Sequence, residues 1–285
     1  MSKRILVTGA TGFVGRQILA TLASRKVQMT LVARCELKKE ALLSVENVIL
    51  TEDAFSQTRA WWAETLQGID TVIHAAWFCE PGQYLESPIN LDCLKGTITL
   101  AQACVDAGVR RFVGIGTCFE YDTEAGYLSV DTPLRPATPY AAAKAAAYLA
   151  LNQSLSKAGV EFVWCRLFYL HGEGEDPRRL VPYIHQQLQK GEIANLSDGL
   201  KVRDYMDVSD AAASIVNIAF GKFIGPVNVC SGVGVTIRQL ALRIADTYGR
   251  PDLLSFGALN NNIHDPQTLV GILNQNFLGN QKYES

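Results

Sequence analysis

Two residues midway along the chain have types and spacing that suit proton transfer. Tyr140 and Lys144 lie four residues apart just after Pro139, which is well placed to open a helix, so the pair shares one helical face. A free tyrosine has a pKa of about 10 and needs a neighbouring ammonium to exchange protons near neutral pH. The pair therefore suits proton transfer to or from a carbonyl, although surface helices often carry both residue types.

A glycine run near the amino terminus adds a second kind of chemistry. It follows an apolar β-rich run at 4–8 and precedes helical apolar spacing that begins at Phe13. Glycines in such a strand-to-helix turn let the backbone approach a pyrophosphate, which the helix N-terminus stabilises. The pattern predicts a nicotinamide-dependent enzyme acting on an alcohol or ketone. The residues of the turn expected to contact the cofactor are Gly9, Thr11, Gly12, Phe13, Val14 and Gly15.

The glycine spacing is G-x-x-G-x-x-G rather than the G-x-G-x-x-G of the usual dinucleotide fold. Residues 9–15 resemble the glycine motif of the short-chain dehydrogenase/reductase superfamily, specifically its extended branch acting on nucleotide sugars. Residues 140–144 match the Tyr-x-x-x-Lys pair of that superfamily. The resemblance runs from the start to about Val235. It implies a nucleotide-sugar substrate, and a homodimer is a further possibility because related enzymes often pair through two helices.

The elements that must position these residues alternate between β-like and helical runs, which predicts a parallel sheet covered on both faces. We expect an α/β fold, with a Rossmann-type doubly wound sheet in residues 1–165 and a smaller interleaved substrate-binding lobe in 166–285. A strand near 226–230 is expected to return to the sheet. The predicted strands are 4–8, 28–33, 46–50, 70–75, 111–116 and 161–167, and the predicted helices 13–24, 57–67, 90–107, 138–158 and 179–190.

The end of the second predicted strand bears on which nicotinamide is bound. An enzyme preferring NAD is expected to place an acidic residue there, but this strand ends at Arg34, which can pair with a 2′-phosphate. Arg16 could reach the same group, whereas Glu36 could compete for the ribose hydroxyl. The sequence therefore favours NADP(H) over NAD(H). By resemblance, Asp53 lies near the adenine, and Ala75 and Ala76 line the cofactor site.

Thr117 is the third expected catalytic residue. It follows the apolar strand 112–116, and its hydroxyl would hydrogen-bond and orient the reacting oxygen. The resemblance places it where the family carries its catalytic Ser or Thr. It also assigns Lys144 a second role, which is to hold the nicotinamide ribose.

The residues after Thr117 depart from part of the family. Its sugar 4,6-dehydratases follow this threonine with Asp and Glu, where this chain has Cys118 and Phe119. Because water elimination needs a general acid and base, the departure argues against a dehydratase. Glu120 is one place later and could polarise a substrate hydroxyl. Cys93 stands where the family commonly has Asn.

The expected substrate contacts come from several segments. Residues 199–208 look like the family's Arg-Asp segment, whose arginine holds the nucleotide-sugar diphosphate, a role that suits bidentate guanidinium chemistry. Aromatic residues after the fourth strand lie at the edge where ligands bind in open α/β sheets. The full expected set is Trp77, Tyr84, Cys118, Glu120, Arg179 and Arg203.

Composition bears on whether the protein binds nucleic acid, a membrane or a metal. With 285 residues, 48% of them hydrophobic, the chain can bury a large core, and a formal charge of −2 favours neither a nucleic-acid nor a membrane partner. The amino terminus carries no secretory signal, so we expect a cytoplasmic protein. The seven cysteines contain no Cys-x-x-Cys, and the four histidines lack ligand spacing, so no metal is expected.

These observations favour NADPH-dependent reduction of a keto group on a nucleotide-activated sugar, in particular a 4-keto-6-deoxyhexose. Tyr140 would protonate the oxygen while Lys144 lowers its pKa and Thr117 orients the oxygen. The alternative enzyme is a nucleotide-sugar 4-epimerase that oxidises and re-reduces one carbon around a tightly held NAD. The alternative from another class is a non-catalytic dinucleotide-sensing protein.

Overall fold

The computed structural model describes residues 2–34, 45–261 and 265–274. Glu36 lies outside them, as do Cys35 and His264 among the counted cysteines and histidines. The strands are β1 (Lys3–Thr8), β2 (Val27–Ala33), β3 (Val45–Leu50), β4 (Thr71–His74), β5 (Arg111–Thr117), β6 (Tyr127–Leu128), β7 (Glu161–Leu167), β8 (Tyr169–His171), β9 (Ala194–Leu196), β10 (Val202–Asp207), β11 (Gly225–Val229), β12 (Gly234–Thr236), β13 (Leu254–Phe256) and β14 (Thr268–Gly271). The α-helices are α1 (Phe13–Ala23), α2 (Arg59–Thr65), α3 (Ile89–Asp106), α4 (Pro139–Lys157), α5 (Leu180–Lys190), α6 (Val208–Phe220) and α7 (Ile237–Thr247).

Seven of the strands form a parallel central sheet in the order β11-β7-β5-β4-β1-β2-β3. Side chains alternate between its two faces. Ile5 and Val7 pack into a core with α1 and α6, whereas Leu6 packs into a second core with α2, α3 and α4. Because both faces are covered, the strands read as apolar runs. The predicted α/β doubly wound fold is confirmed.

The strand order changes direction between β1 and β4, which makes this the switch point of the sheet. In open α/β sheets, ligands bind in the crevice outside the carboxyl ends of the strands at this point. The glycine turn follows β1, and Ala75 and Ala76 follow β4, so the fold brings these two segments to the same crevice.

A second assembly follows and interleaves with the first. Its sheet has the order β12-β10-β14-β6, with β8 pairing to β10, and β9 pairs with β13. Helices α5 and α7 pack beside it around a separate apolar core. The chain crosses between the two assemblies more than once, since β6 precedes residue 166 and β11 follows it. Of the elements that begin after residue 167, the sequence predicted only α5 and β11, and β11 belongs to the central sheet. In none of the described ranges does a helix have the length and apolarity needed to cross a membrane.

Candidate active site

The glycine turn is shaped to take a phosphate group. Gly9 has a φ of +73°, and a Cβ on it would lie 2.5 Å from the backbone nitrogen of Ala76. A Cβ on Gly15 would lie 2.9 Å from Ala10 Cα, so α1 packs close against the turn. Gly12 is the N-cap of α1 and provides no side-chain cap, which leaves the helix N-terminus to be satisfied by an anion. The turn therefore fits the pyrophosphate of a dinucleotide.

A buried histidine ties the turn to the next strands. His74 Nδ1 lies 2.8 Å from Thr8 Oγ1, and His74 Nε2 lies 2.9 Å from Thr97 Oγ1. Burial lowers the pKa of His74 to about 3, so the ring is neutral at physiological pH. Ala76 N also donates to Thr8 Oγ1 at 3.3 Å. These hydrogen bonds hold β1, β4 and α3 together beneath the crevice.

Asp53, the residue expected near the adenine, lies in the segment that follows β3. Its Oδ1 accepts a hydrogen bond from Phe55 N at 2.9 Å and caps a short turn at Ala54–Ser56. That turn packs closely on α3, since a Cβ on Gly96 would lie 2.5 Å from Phe55 Cα. Asp53 is exposed at the edge of the crevice.

The two arginines expected to select NADP lie in different surroundings. Arg34 follows β2 and is exposed. Arg16 Nη2 instead donates to Gly174 O at 3.1 Å, and its Nε donates to Gly12 O at 3.4 Å. The structure thus directs Arg16 towards the loop after β8. The expectation that it joins Arg34 at a 2′-phosphate gains no support from this geometry.

The three residues expected to be catalytic meet at the carboxyl end of β5. Thr117 is the last residue of β5, and its hydroxyl acts to lower the pKa of Tyr140, near the start of α4. Lys144, one helical turn later, donates from Nζ to Ile115 O at 2.7 Å. Tyr140 is 8% exposed and Lys144 4% exposed. The pattern Tyr-x-x-x-Lys thus places both side chains in one nearly dry site.

Burial is the largest influence on the pKa values of Tyr140 and Lys144. It raises the pKa of Tyr140 well above its ordinary value, an effect that the Thr117 hydroxyl opposes. It lowers the pKa of Lys144 to about 8, while the charge of Glu120 acts in the opposite direction. Near pH 7 the phenol therefore holds a proton to donate, and the lysine is an ammonium.

Trp77 and Tyr84, the aromatic residues expected to contact the substrate, pack against the residues expected to be catalytic. The Trp77 ring centroid lies 3.7 Å from Lys144 Nζ, and Trp77 Nε1 donates to Asn90 Oδ1 at 2.8 Å. The Tyr84 ring meets the Tyr140 ring edge-on, with centroids 4.8 Å apart. Sequence reasoning missed Asn90, which anchors the tryptophan from within α3.

The expected substrate contact of Cys118 gains no support from its surroundings. Its side chain is buried, and burial raises the pKa of its thiol. The turn after Thr117 points it away from the crevice, into an apolar cluster beneath the second sheet. The buried members of that cluster are Cys118, Tyr121, Leu128, Phe168, Cys230 and Leu269.

Glu120 was expected to polarise a substrate hydroxyl, but both of its oxygens are engaged within the protein. The residue is fully buried. Its Oε1 accepts hydrogen bonds from Thr117 N at 2.8 Å and Trp164 Nε1 at 2.9 Å. Its Oε2 accepts from Arg166 Nε at 2.7 Å. No local pattern indicated this pairing, because Arg166 lies 46 residues further along the chain.

Arg203 does not reach the crevice as a diphosphate ligand, which corrects the expectation for this residue. It is 1% exposed, and its Nη2 donates to Asp265 Oδ2 at 2.6 Å and Pro266 O at 2.7 Å. Its Nη1 donates to Val202 O at 2.8 Å and Gln267 O at 3.3 Å. The guanidinium therefore joins β10 to the segment that leads into β14.

Arg179 remains placed for the substrate contact expected of it. It is exposed at the N-cap of α5, and its charge acts to lower the pKa of Tyr84, whose ring meets that of Tyr140. Arg178 instead pairs with Asp176 at 2.7 Å and with Glu80 at 2.8 Å. Of these two arginines, Arg179 is the one that acts on Tyr84.

Comparison with known proteins agrees with this geometry. A model of the NAD dependent epimerase/dehydratase family matches residues 5–221, and the chain belongs to that family. Within the short-chain dehydrogenase/reductase superfamily, this is the extended branch that the motifs indicated.

Individual relatives are distant but extend along most of the chain. A UDP-glucose 4-epimerase from Mycolicibacterium smegmatis is 29% identical over 274 residues, covering 87% of this chain and 84% of that protein. A dTDP-6-deoxy-L-talose 4-dehydrogenase (NAD(+)) from Aggregatibacter actinomycetemcomitans is 22% identical over 236 residues, covering 82% and 86%. The structure of Thermus thermophilus UDP-glucose 4-epimerase with NAD superimposes with a TM-score of 0.81 at 23% identity, covering 98% and 93%. That likeness shows the fold.

Proposed function

We propose that this protein uses NADPH to reduce a keto group on a nucleotide-activated sugar, in particular the 4-keto group of a 6-deoxyhexose. The observation that carries the proposal is that Thr117, Tyr140 and Lys144 are buried together, with Lys144 Nζ 6.0 Å from the centre of the Tyr140 ring. The glycine turn lies across the same crevice. A nicotinamide bound there supplies the hydride.

Each catalytic side chain has a defined task in this proposal. The Tyr140 hydroxyl donates its proton to the carbonyl oxygen as that oxygen gains negative charge. Thr117 holds the oxygen in line with the phenol. Lys144 stabilises the phenolate that remains, because an ammonium in a dry site interacts strongly with a neighbouring anion.

The surroundings of Thr117 disfavour a dehydratase. Elimination of water needs a general acid and a general base beside the sugar. The two positions after Thr117 hold Cys118, which is buried, and Phe119, whose ring contacts Tyr169 with centroids 6.2 Å apart. Neither side chain can exchange a proton at neutral pH in these surroundings.

The choice of carbon and of diphosphate contact rests on separate arguments. A 4-dehydrogenase of a dTDP-6-deoxy sugar is among the relatives, and a dehydrogenase run in reverse reduces the ketone at the same carbon.

Because the Arg203 guanidinium is paired with Asp265, the exposed Arg179 is the better candidate to pair with the diphosphate. The exposed Arg34 at the end of β2 supports NADP(H) over NAD(H).

A nucleotide-sugar 4-epimerase is the second candidate, and the relative named UDP-glucose 4-epimerase favours it. Tyr140 would then remove a proton in the first half-reaction and return it in the second. The difference lies in the cofactor, which an epimerase retains and a reductase exchanges.

Consumption of NADPH tests the proposal. The protein is incubated with dTDP-, UDP-, GDP- and CDP-linked 4-keto-6-deoxyglucose, with NADH in parallel, and Tyr140→Phe is the matched control. We expect rapid oxidation of NADPH with one substrate and a loss of about 100-fold or more in the control, which retains cofactor binding. No oxidation with any substrate, together with NAD that stays bound through purification, would refute the reductase and favour the epimerase.

We infer that two copies of the chain pair through α3 and α4. These helices pack side by side and expose apolar residues, among them Leu91 at 67% and Leu149 at 56% exposure. Exposed apolar patches of this kind favour association. Analytical ultracentrifugation of the protein should give a dimer, and Leu149→Glu should give a monomer.

A further inference from the structure

A fully buried carboxylate lies beneath the catalytic residues. Both Glu120 oxygens are engaged: Oε1 accepts from Thr117 N and from Trp164 Nε1, and Oε2 accepts from Arg166 Nε. Arg166 Nη1 donates in turn to Tyr121 OH at 3.0 Å. Arg166 Nη2 is buried and has no hydrogen-bond partner among the described residues, so the arginine is held by its Nε and Nη1 contacts. We refer to Glu120, Trp164 and Arg166 as the buried triad.

Strand β5 is built to let the buried triad approach. A Cβ on Gly116 would lie 2.5 Å from Glu120 Oε1 and would overlap the Trp164 indole nitrogen. A Cβ on Gly114 would lie 2.5 Å from Trp164 Cε3. Glycine at both positions removes the side chains that would separate β5 from Trp164. The sequence Gly-Ile-Gly before Thr117 therefore has a packing role.

The buried triad fixes the backbone that presents Thr117. Glu120 ends the short turn Cys118–Glu120 and accepts the Thr117 N–H, while the Thr117 side chain accepts from Phe119 N at 3.3 Å. This reciprocal capping box holds both ends of the turn. The Thr117 hydroxyl, which acts on the pKa of Tyr140, therefore has its position set by Glu120.

The same carboxylate supplies a fixed charge to the site. Cys79, Glu120 and Cys93 are the groups whose negative charge would raise the pKa of Lys144. Burial raises the pKa of both thiols, that of Cys93 to about 11, so they are neutral near pH 7. Glu120 is the one of the three that is paired with a guanidinium, that of Arg166. The Trp164 ring bridges Glu120 to the lysine, with its centroid 5.9 Å from Lys144 Nζ.

We propose that Glu120 is a positioning residue of this active site, which holds the Thr117 backbone and balances the Lys144 ammonium with a buried negative charge. Its part in turnover rests on the proposed function. It touches neither the crevice nor Tyr140, so it acts through the residues that do. Arg166 and Trp164 hold it in place.

Glu120→Gln is the first test, because it keeps the shape and removes the charge. The negative charge of Glu120 raises the pKa of both Tyr140 and Lys144, so its loss lowers both. The other groups acting on the two residues are Cys79, Tyr84 and Cys93, which are uncharged near pH 7. We expect the alkaline limb of kcat to move to lower pH and kcat to fall about tenfold or more, with KM little changed.

The double variant Glu120→Gln/Arg166→Met separates this role from simple stability. It removes the buried arginine charge that the single variant leaves unpaired. Our proposal predicts that the melting temperature recovers while the alkaline limb stays at lower pH. If both the melting temperature and the parental pH profile recovered, the proposal would be overturned. That result would mean that Glu120 and Arg166 form an ion pair that only stabilises the fold.

A measurement without substrate keeps this test independent of the proposed function. Lysine labelled with ¹³C at Cε reports each ammonium by NMR, and Lys144→Met assigns its signal. The Lys144 signal should titrate at about pH 8 in the parent and at lower pH in Glu120→Gln. An unchanged Lys144 titration in a folded variant would overturn the electrostatic role. If the parent protein does not turn over any of the keto sugars, the proposed reductase function is refuted. The Lys144 titration still tests the role of Glu120 in that case, because it needs no substrate.

Discussion

The ammonium of Lys144 lies 3.7 Å from the centre of the Trp77 indole ring. This contact places an aromatic face against the group that, by family resemblance, holds the nicotinamide ribose. A cation over an indole face is stabilised by the ring quadrupole, and more strongly where water is excluded. Cofactor binding must therefore change the surroundings of Trp77.

Trp77 should report cofactor binding by fluorescence. Adding NADPH is expected to quench tryptophan emission, and Trp77→Phe should lose most of that quenching because the ring nearest Lys144 is removed. Trp61→Phe is the control, since Trp61 lies in α2 and packs on Trp62 instead. If NADPH quenched the parent and Trp77→Phe equally, Trp77 would not lie beside the cofactor.

We expect reductase activity to fall at alkaline pH, where Lys144 loses its proton. Burial lowers the pKa of its side chain to about 8, so the ammonium is present below that pH and is lost as the pH rises through it. Because the ammonium stabilises the phenolate left on Tyr140, kcat should fall above about pH 8. A pH profile of kcat, with circular dichroism to confirm folding, checks this. Activity that stays level well beyond that pH would contradict it.

Breaking the buried triad should destabilise the fold. Glu120→Ala leaves the Arg166 guanidinium buried without its counter-charge, and we expect the free energy of unfolding to fall by about 3–5 kcal/mol. Urea denaturation measures this. The control is Asp106→Ala, which breaks the exposed ion pair of Asp106 with Arg59 and should change stability little. Similar losses in both variants would mean that burial of the pair does not matter.

Gly9 should be essential for cofactor binding. Its φ of +73° and the 2.5 Å approach to Ala76 N leave no room for a side chain, so Gly9→Ala should raise the NADPH dissociation constant about tenfold or more. Gly108→Ala is a matched control, because Gly108 has a φ of +70° but nothing within 4 Å of its Cβ. Isothermal titration calorimetry distinguishes them, and equal affinity in both variants would refute the assignment of the turn.

The parts of the site that sequence reasoning predicted are those encoded locally. The glycine turn lies between one strand and the next helix, and four-residue spacing alone puts Tyr140 and Lys144 on one face. Thr117 was found because it ends an apolar strand. The central sheet was predicted for the same reason, since its strands are continuous apolar runs.

The parts that were missed depend on contacts between distant segments. Arg203 pairs with Asp265, 62 residues away, and nothing near either residue indicates that the arginine is committed. Glu120 looked like an accessible loop carboxylate, although Arg166 buries it from another strand. The one local signal was the pair Gly114 and Gly116, whose missing side chains make room for Trp164.

Transfer of deuterium from labelled NADPH tests the central claim most directly. NADPH carrying deuterium at both positions of its hydride-donating carbon is incubated with the protein and the 4-keto-6-deoxy sugar nucleotide that supports turnover, and the product is analysed by mass spectrometry and NMR. The reductase account predicts one deuterium per product molecule, at sugar carbon 4, with equivalent NADP⁺ formed. Product without deuterium, or an epimerised sugar with no net oxidation of NADPH, would contradict it.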